Sequence, residues 1–262
     1  MKLFLTLEEM WDRPLGGEDR THEIPHWCGN ICYVIVGLVL KIAFRFKVHG
    51  RENLRAARGK QGLCLCSTHT SFLDVAFLYV AVRPSQWVRF MARDSLFTGS
   101  QLGAQIIARV GAFPVTRDSA DRTSVKRATR MLRNKEVVGI FPEGTRRGKS
   151  ENTPSLHAGA ALVARMGKAP LVPTAVRNVE KIKRKGERVR FPRVHVLFGE
   201  PIDVKSFEFL PKEDRLEGAV WYVMRESFAL QRDVPADQID MVELFPETKD
   251  YSQVFAEHPI RG

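Results

Sequence analysis

The sequence predicts an α/β layered fold in which a mixed, largely parallel sheet is flanked by helices, together with an N-terminal helical segment. Short apolar runs alternate with longer helical segments between residues 48 and 230, which is the pattern of strand–helix–strand units. Apolar residues make up 44% of the chain, enough to bury a core between such layers. The predicted strands are residues 62–67, 88–92, 112–116, 137–141, 171–176 and 194–198. The predicted helices are residues 72–82, 101–110, 119–133, 156–166 and 212–230.

Residues 1–48 form an N-terminal segment with an apolar stretch near its centre. Residues 27–40 carry no charge, and as a helix they would reach ~21 Å, short of the ~30 Å hydrocarbon core of a bilayer. A basic fringe of Lys41, Arg45 and Lys47 follows. The stretch therefore predicts an interfacial helix that lies in one leaflet of a membrane, and the alternative is a core helix of a soluble domain.

The charge of the chain is unevenly placed. Its 262 residues carry a net charge of +11, but residues 231–262 hold seven acids and three bases, which leaves −4 on this acidic C-terminal tail and +15 on the rest. Residues 49–230 between these segments form the predicted main domain. Two basic runs, residues 119–135 and 177–193, predict surfaces that meet the phosphates of anionic lipid or of a substrate. The alternative for both runs is a solvated face.

The cysteines and the N-terminus indicate a cytosolic compartment. The four cysteines have C-x3-C and C-x-C spacings, which match neither a zinc site nor a thioredoxin motif, and they lie in apolar runs. We therefore expect buried, reduced thiols. Two glutamates within the first ten residues, and no cleavage site after the apolar stretch, argue against a signal peptide. We expect the protein at the cytoplasmic face of the cell membrane, peripheral or monotopic.

His69 is the candidate general base. It follows the first predicted strand at its carboxyl end, where α/β folds place their sites, and Asp74 lies five residues further on. A turn between them would let Asp74 accept a hydrogen bond from one imidazole nitrogen and leave the other as a base near neutral pH. The alternative is that Asp74 and Ser71 form only a helix capping box. The two roles are compatible because a carboxylate has two oxygens.

The loop after the predicted strand 137–141 is a candidate phosphate site. Gly144 allows a turn at positive φ, and the loop then presents Glu143, Thr145 and Arg146. A guanidinium offers a bidentate fork to a phosphate, and backbone amides and a hydroxyl add further donors. The alternative, a simple polar turn, explains the glycine but not the cluster of functional groups.

A second arginine at a strand end supports an anion site beside the base. Arg117 ends the third predicted strand, so Arg117 and Arg146 would flank His69 at one edge of the sheet. The alternative is that Arg117 pairs with an acid such as Asp118. The fifth predicted strand carries Pro173, which predicts an edge strand, a bulge or a kink near the site, because proline cannot donate to a strand ladder.

Together these four blocks resemble the motifs of the glycerolipid acyltransferase family, of the lysophosphatidic acid acyltransferase type. The matching blocks are His69 to Asp74 for H-x4-D, Phe113 to Arg117 for an aromatic followed by arginine, residues 141–146 for F-P-E-G-T-R, and Val172-Pro173-Thr174. They stand in the family's order across about 110 residues. Two positions depart from the pattern: Thr68 replaces the usual asparagine, and His157 stands where a lysine is frequent. These departures concern the preferred headgroup rather than the reaction.

The resemblance implies a reaction and a set of roles. His69 would deprotonate the acceptor hydroxyl and Asp74 would orient it, without a covalent acyl-enzyme. The residues implied to hold the glycerol phosphate are Arg117, Glu143 and Arg146, in a loop shaped by Gly144 and Thr145. The acyl donor would be acyl-CoA or acyl carrier protein, and the acceptor 1-acyl-glycerol-3-phosphate at its sn-2 hydroxyl, giving phosphatidic acid in phospholipid biosynthesis. No metal or other cofactor is implied, and residues 49–230 become the acyltransferase domain.

Other functions remain as alternatives at this point. The acceptor could be another lysophospholipid or a lyso-aminolipid. A non-catalytic lipid-binding protein of the same fold is a second class, against which the intact His69 and Asp74 argue. A nucleic-acid binder is disfavoured, because the basic runs lack interleaved aromatic residues and no nucleic-acid-binding motif is present.

Overall fold

The computed structural model describes residues 5–83, 85–116, 121–147, 153–183, 186 and 188–260. Within these ranges the strands are β1 (Lys47–His49), β2 (Leu63–Ser67), β3 (Val88–Arg93), β4 (Ala112–Val115), β5 (Val137–Ile140), β6 (Leu171–Arg177) and β7 (His195–Phe198). The helices are α1 (Leu7–Asp12), α2 (Trp27–Phe44), α3 (Arg51–Ala57), α4 (Leu73–Val82), α5 (Gln101–Arg109), α6 (Arg122–Arg133), α7 (Gly159–Gly167), α8 (Arg215–Arg232), α9 (Met241–Leu244) and α10 (Ser252–Glu257).

The described strands form one mixed sheet in the order β1-β7-β6-β2-β5-β3-β4. Neighbouring strands in that order are parallel, except that β6 and β7 are antiparallel. The central strand β2 pairs with β5 on one side and with β6 on the other. The predicted α/β fold with a mixed, largely parallel sheet is therefore confirmed. The sequence pattern did not predict β1, which is only three residues long.

Helices cover both faces of the sheet, which explains why its strands are continuously apolar. All five residues of β2 are buried. Leu63 and Leu65 point into a cluster formed with α2 to α5, whereas Cys64 and Cys66 point into a second cluster formed with α6 to α10. A strand buried on both faces has no polar side to alternate with its apolar side.

The four cysteines are free thiols. Cys28, Cys64 and Cys66 are buried and Cys32 is half-buried. The hydrogen-bonded Cys64 thiol and burial together raise the pKa of the Cys66 thiol, which keeps it protonated and unreactive. Three of the four thiols therefore lie in the apolar surroundings that the sequence predicts.

The apolar stretch near the N-terminus folds as α2. Among the described helices, α2 alone is long and apolar enough to cross a membrane, and 22% of its 18 residues are buried. One side packs on α4, where the Tyr79 hydroxyl donates to the Gly29 carbonyl at 3.0 Å. Large apolar side chains elsewhere on the helix are between 52% and 70% exposed: Trp27, Ile31, Val34, Ile35, Leu38, Val39 and Ile42. The helix is therefore not the core helix of the alternative interpretation.

A buried ion pair holds the chain before α2 onto the sheet. Arg89 of β3 is fully buried, and its guanidinium lies 3.5 Å from Oε2 of Glu136, which precedes β5. The same guanidinium donates to the carbonyls of Gly111 and Arg13 at 3.0 Å, while Glu136 accepts the N–H of Leu15 at 3.2 Å. The sequence pattern did not predict this attachment.

The C-terminal residues pack on α8 through aromatic side chains. Tyr251 and Phe255 are buried, and the Phe255 ring stacks on Trp221 with centroids 5.6 Å apart. The Lys249 ammonium lies 2.7 Å from the Asp214 carboxylate at the start of α8. The segment predicted as an acidic tail therefore docks on the main domain by apolar burial, and the division of the chain at residue 230 stays a prediction.

Removing the buried guanidinium is expected to destabilise the fold. Arg89→Ala would leave the Glu136 carboxylate buried without its partner, which costs ~3–5 kcal/mol of unfolding free energy. Arg93→Ala is the matched control, because Arg93 lies on the same strand and is exposed, so its change should stay within ~0.5 kcal/mol. Urea unfolding of both variants measures the difference, and equal unfolding free energies would contradict the structural role of Arg89.

Candidate active site

Two of the sequence blocks meet at one edge of the sheet. Because β2 and β5 are parallel neighbours, their carboxyl ends lie side by side, with Cys66 paired to Ile140. His69 follows β2 and Phe141 follows β5, and their rings stack with centroids 4.1 Å apart and planes 25° apart. The base predicted from the first block therefore lies directly against the loop of the third block.

Asp74 holds the imidazole as the sequence predicts. Its Oδ2 lies 3.0 Å from Nδ1 of His69, and the carboxylate is 1% exposed in the first turn of α4. The backbone N–H groups of Thr70 and Ser71 donate to the same oxygen at 2.8 Å each. The chain thus folds back between β2 and α4, and Nδ1 carries the hydrogen when it donates to Asp74, which leaves Nε2 as the acceptor.

The two carboxylate oxygens of Asp74 do not make the hydrogen bonds that the sequence predicts for them. Helix capping and imidazole contact were expected to use one oxygen each, but Oδ2 of Asp74 does both. Oδ1 is buried and has no hydrogen-bond partner among the described residues. The hydroxyl of Ser71 accepts from the N–H of Leu73 at 3.2 Å, so only the carboxylate half of the capping box forms. The tight turn brings Nδ1 of His69 and the backbone N–H groups of Thr70 and Ser71 to the same side of the Asp74 carboxylate, so all three meet Oδ2.

Glu143 and Arg147 clamp the backbone of His69. The His69 N–H donates to Oε1 of Glu143 at 2.8 Å, and Arg147 Nε donates to Oε2 at 3.0 Å. The N–H of Arg147 donates in turn to the His69 carbonyl at 2.9 Å. Burial raises the pKa of the Glu143 carboxyl, while the Arg147 guanidinium and the His69 N–H oppose that rise. Both Glu143 oxygens are engaged inside the protein, so this geometry favours an internal role over the expected phosphate contact.

The sequence pattern did not predict Arg147 as part of the site. Its guanidinium carbon lies 4.9 Å from the ring centroids of Phe228 and Phe245, between α8 and the residues after α9. The only signal was the arginine pair at positions 146 and 147, and the sequence does not tell which side chain turns inward.

Arg146 turns outward, beside the start of α4. Its guanidinium carbon lies 3.5 Å from the centroid of the Phe72 ring, which is 63% exposed. A guanidinium stacked on an aromatic face keeps its N–H edge available for an anion. Phe72, which the sequence pattern did not predict as part of the site, therefore orients the guanidinium of Arg146.

Gly144 makes the turn that precedes the two arginines. Its φ is +64°, its N–H donates to the Phe141 carbonyl at 3.0 Å, and the N–H of Thr145 donates to the Glu143 carbonyl at 2.6 Å. A Cβ at position 144 would lie 2.9 Å from Nε2 of His157. The departure at His157 is thus a side chain that packs on this loop.

The remaining predicted positions have different outcomes. Arg117 lies outside the described residues, so its place beside His69 stays a prediction.

Pro173 lies on β6, which has a neighbour on each side, so the expectation of an edge strand is wrong. It is tolerated because it stands opposite Gly199, just past the end of β7, and its carbonyl accepts the Gly199 N–H at 2.8 Å.

Known proteins are similar to this chain in sequence. The model of the Acyltransferase family matches residues 45–177, about half of the chain. A 1-acyl-sn-glycerol-3-phosphate acyltransferase of Bacillus subtilis is 35% identical over 187 residues, which cover 71% of this chain and 88% of that relative. This chain belongs to the acyltransferase family. The resemblance drawn from the four blocks is thereby confirmed.

Further comparisons agree with the acyltransferase assignment. A relative of the same name from Streptococcus pneumoniae is 29% identical over 57% of this acyltransferase and 53% of its own length, so the match spans about half of that protein. The crystal structure of a 1-acyl-sn-glycerophosphate acyltransferase from Thermotoga maritima aligns with a TM-score of 0.57 at 19% identity, covering 77% and 79% of the two chains. At that identity the structural match supports the fold alone.

Gly144 is expected to tolerate substitution less well than another glycine of similar φ. Gly59 has a φ of +71° and open space around its Cα, so Gly59→Ala should cost only the backbone strain of ~1–2 kcal/mol. Gly144→Ala should cost more, because the new methyl group also meets the His157 ring. Chemical denaturation of both variants tests this, and a smaller or equal loss of unfolding free energy in Gly144→Ala would contradict the described loop.

Proposed function

We propose that this acyltransferase moves a fatty acyl chain from a thioester to the sn-2 hydroxyl of 1-acyl-glycerol-3-phosphate, giving phosphatidic acid for phospholipid biosynthesis. The observation that carries the proposal is the 3.0 Å contact between His69 Nδ1 and Asp74 Oδ2, at a sheet edge shared with Arg146. The name of the Bacillus subtilis relative supports the choice of acceptor.

His69 acts as the general base in the proposed reaction. Asp74 holds the Nδ1–H tautomer, so Nε2 takes the proton of the acceptor hydroxyl as its oxygen attacks the thioester carbonyl. The new C–O ester bond forms, the C–S bond breaks, and the proton passes from His69 to the leaving thiolate. The His69 side chain is 12% exposed, which leaves an edge of the ring for substrate. The acyl group transfers directly, and the thioester supplies the activation that a cofactor would otherwise provide.

Arg146 holds the phosphate of the acceptor in this proposal. Its half-buried guanidinium, stacked on Phe72, offers a bidentate fork to the phosphate oxygens. Arg117 is proposed as a second phosphate ligand because of its position in the sequence motif. Gly144 and Thr145 shape the loop. Glu143 acts as a positioning residue: with Arg147 it fixes the backbone of His69 and does not touch the substrate.

The acyl donor is acyl-CoA or acyl carrier protein, both of which are acidic and complement a basic protein. We infer that the enzyme lies on the cytoplasmic face of the cell membrane as a peripheral or monotopic protein, and the exposed apolar side chains of α2 support this inference. The acceptor and the product, both lipids, are then within reach of the site.

Another lysolipid is the second candidate acceptor. The observation that favours another lysolipid is His157. It packs on the loop after β5, at a position where the family frequently has a lysine. A panel of lysophospholipids and lyso-aminolipids, offered to the enzyme at equal concentration, ranks the acceptors by kcat/KM.

Replacing the base is expected to abolish most of the activity. His69→Ala should lower kcat by at least ~10²-fold, because no other group takes the hydroxyl proton. The assay supplies lysophosphatidic acid and long-chain acyl-CoA to the enzyme in detergent and follows thiol release with a colorimetric reagent, beside a reaction without acceptor. His258→Ala is the control, because His258 is exposed in the C-terminal segment. Near-wild-type turnover of His69→Ala would refute the mechanism.

The wild-type assay also tests the reaction class. If no thiol is released from acyl-CoA, acyl carrier protein donors and the other lysolipids are tried next. Absence of release with every donor and acceptor would favour a non-catalytic lipid-binding protein.

Two substitutions in the loop after β5 are expected to separate substrate binding from positioning. Arg146→Ala should raise the KM for lysophosphatidic acid about tenfold or more, because a charge-assisted bond contributes ~1.5–3 kcal/mol. Glu143→Gln should lower kcat and leave that KM near its wild-type value, because an amide cannot accept from both the His69 N–H and Arg147. Steady-state kinetics with varied acceptor distinguishes the two effects.

Arg122→Ala is the control for both variants, because Arg122 is an exposed base at the start of α6. A KM increase in Glu143→Gln as large as that in Arg146→Ala would make Glu143 a substrate contact. A change confined to the donor kinetics of Arg146→Ala would move the phosphate site elsewhere.

A further inference from the structure

The loop between β6 and β7 presents apolar and basic side chains to solvent in alternation. Over residues 188–193, here named the basic loop, Val189 is 52% exposed and Phe191 is 58% exposed. Arg188, Arg190 and Arg193 alternate with them and are exposed as well. An apolar side chain on a loop of a soluble protein needs no explanation by itself, but a phenylalanine and a valine framed by three arginines form a mixed surface.

The basic loop is fixed to the carboxyl end of α2. The ring of Phe191 lies 5.5 Å from the ring of Phe44, the last residue of that helix. The N–H of Val194 donates to the Phe44 carbonyl at 3.2 Å, and the Val194 carbonyl accepts the N–H of Lys47 at 3.0 Å. The loop and the end of the helix therefore form one continuous surface.

Positive charge gathers on this surface. Lys41, Arg45 and Lys47 are exposed at the end of α2, next to the three arginines of the basic loop. Burial lowers the pKa of the nearby His195 imidazole, and the positive charges of His49, Arg177, Lys47 and Arg193 lower it further. Lys47 from the end of α2 and Arg193 from the basic loop are thus close enough to act on a common neighbour, His195.

We propose that the basic loop is a second membrane-contact element, which binds an anionic lipid surface together with α2. Phe191 and Val189 enter the interface between headgroups and acyl chains, where aromatic side chains are favoured, and Arg188 and Arg193 bind lipid phosphate. This inference rests on the membrane association contained in the proposed function.

Two features favour a lipid surface over an acidic protein such as an acyl carrier. The arginines suit either occupant, but the exposed Phe191 and Val189 have an apolar phase to enter only at a membrane. The basic loop also continues the exposed apolar side of α2, whose last turns present Leu38 and Ile42 at 58% and 70% exposure. An acyl carrier would meet the charges and leave the apolar side chains in water.

A second contact would set the orientation of the active site. One helix lying on a membrane leaves the domain free to rotate about the helix axis, whereas a loop beside the helix end removes that freedom. The Phe44 ring contacts Phe77 of α4 at 5.5 Å, and α4 begins beside His69. The end of α2 that carries the basic loop is therefore the end nearest to the site.

Vesicle sedimentation of the full chain tests the proposal. A variant with Arg188→Gln and Arg193→Gln should bind vesicles of phosphatidylcholine and phosphatidylglycerol at least ~10-fold more weakly than wild type, since each base near an anionic surface contributes about fivefold. Val189→Ser should weaken binding to the same vesicles without changing the charge. In the matched control, Lys205 and Lys212, which are exposed outside both basic runs, are changed to glutamine and remove the same charge.

The possible outcomes separate the basic loop from its alternatives. Weaker binding in the arginine variant and in Val189→Ser, with the lysine control near wild type, supports the proposal. Equal loss in the lysine control, or wild-type binding by the arginine variant, overturns it. Wild-type vesicle binding combined with lost activity toward acyl carrier protein assigns the loop to that donor and also overturns it. Acyl transfer in detergent should be unchanged in all variants, so failure of the proposed reaction shows separately, as a wild-type enzyme inactive in detergent.

Discussion

One carboxylate oxygen, Oδ2 of Asp74, determines the geometry on which the proposed chemistry depends. It accepts hydrogen bonds from the backbone N–H groups of Thr70 and Ser71 and faces Nδ1 of His69. The two backbone hydrogen bonds close the turn between β2 and α4, so the same atom fixes the path of the chain and the orientation of the imidazole. Any rotation of the Asp74 side chain would disturb the start of the helix as well as the base. This linkage pre-organises the base before a substrate binds.

The neighbouring strand supports His69 from the other side. The parallel pairing of β2 with β5 brings Glu143 and Arg147 to the His69 backbone, where they hold both its N–H and its carbonyl. A buried carboxylate is costly unless its oxygens are paired, and here both are engaged. The turn at Gly144 precedes both arginines, of which Arg147 joins the clamp and Arg146 stacks on Phe72. The two adjacent arginines thus have separate partners: Arg147 supports the backbone of His69, and Arg146 lies beside the start of α4.

The alternation of short apolar runs with helical segments was sufficient to predict the sheet. Motif spacing was sufficient to predict the pairing of His69 with Asp74, because a five-residue separation requires a turn between them. It was not sufficient to distinguish Arg146 from Arg147, because the direction of each side chain depends on the path of the backbone after the turn at Gly144. The attachment of the N-terminal residues to the sheet could not be predicted either, because it depends on the burial of Arg89. A lone arginine in an apolar strand is expected from sequence to be exposed. The packing of the C-terminal aromatic side chains could not be predicted, because the surrounding acidic residues indicate a solvent-exposed segment.

The dependence of His69 on Asp74 is tested most directly by a double-mutant cycle on kcat. Asp74→Asn keeps an oxygen that can accept from Thr70 and Ser71 but weakens control of the imidazole tautomer. If Asp74 acts through His69, the substitution lowers kcat strongly in the wild-type enzyme and has little further effect in His69→Ala. The same fold-loss in both backgrounds would show that Asp74 contributes independently of the imidazole, which would contradict the proposed pairing of the two residues in catalysis.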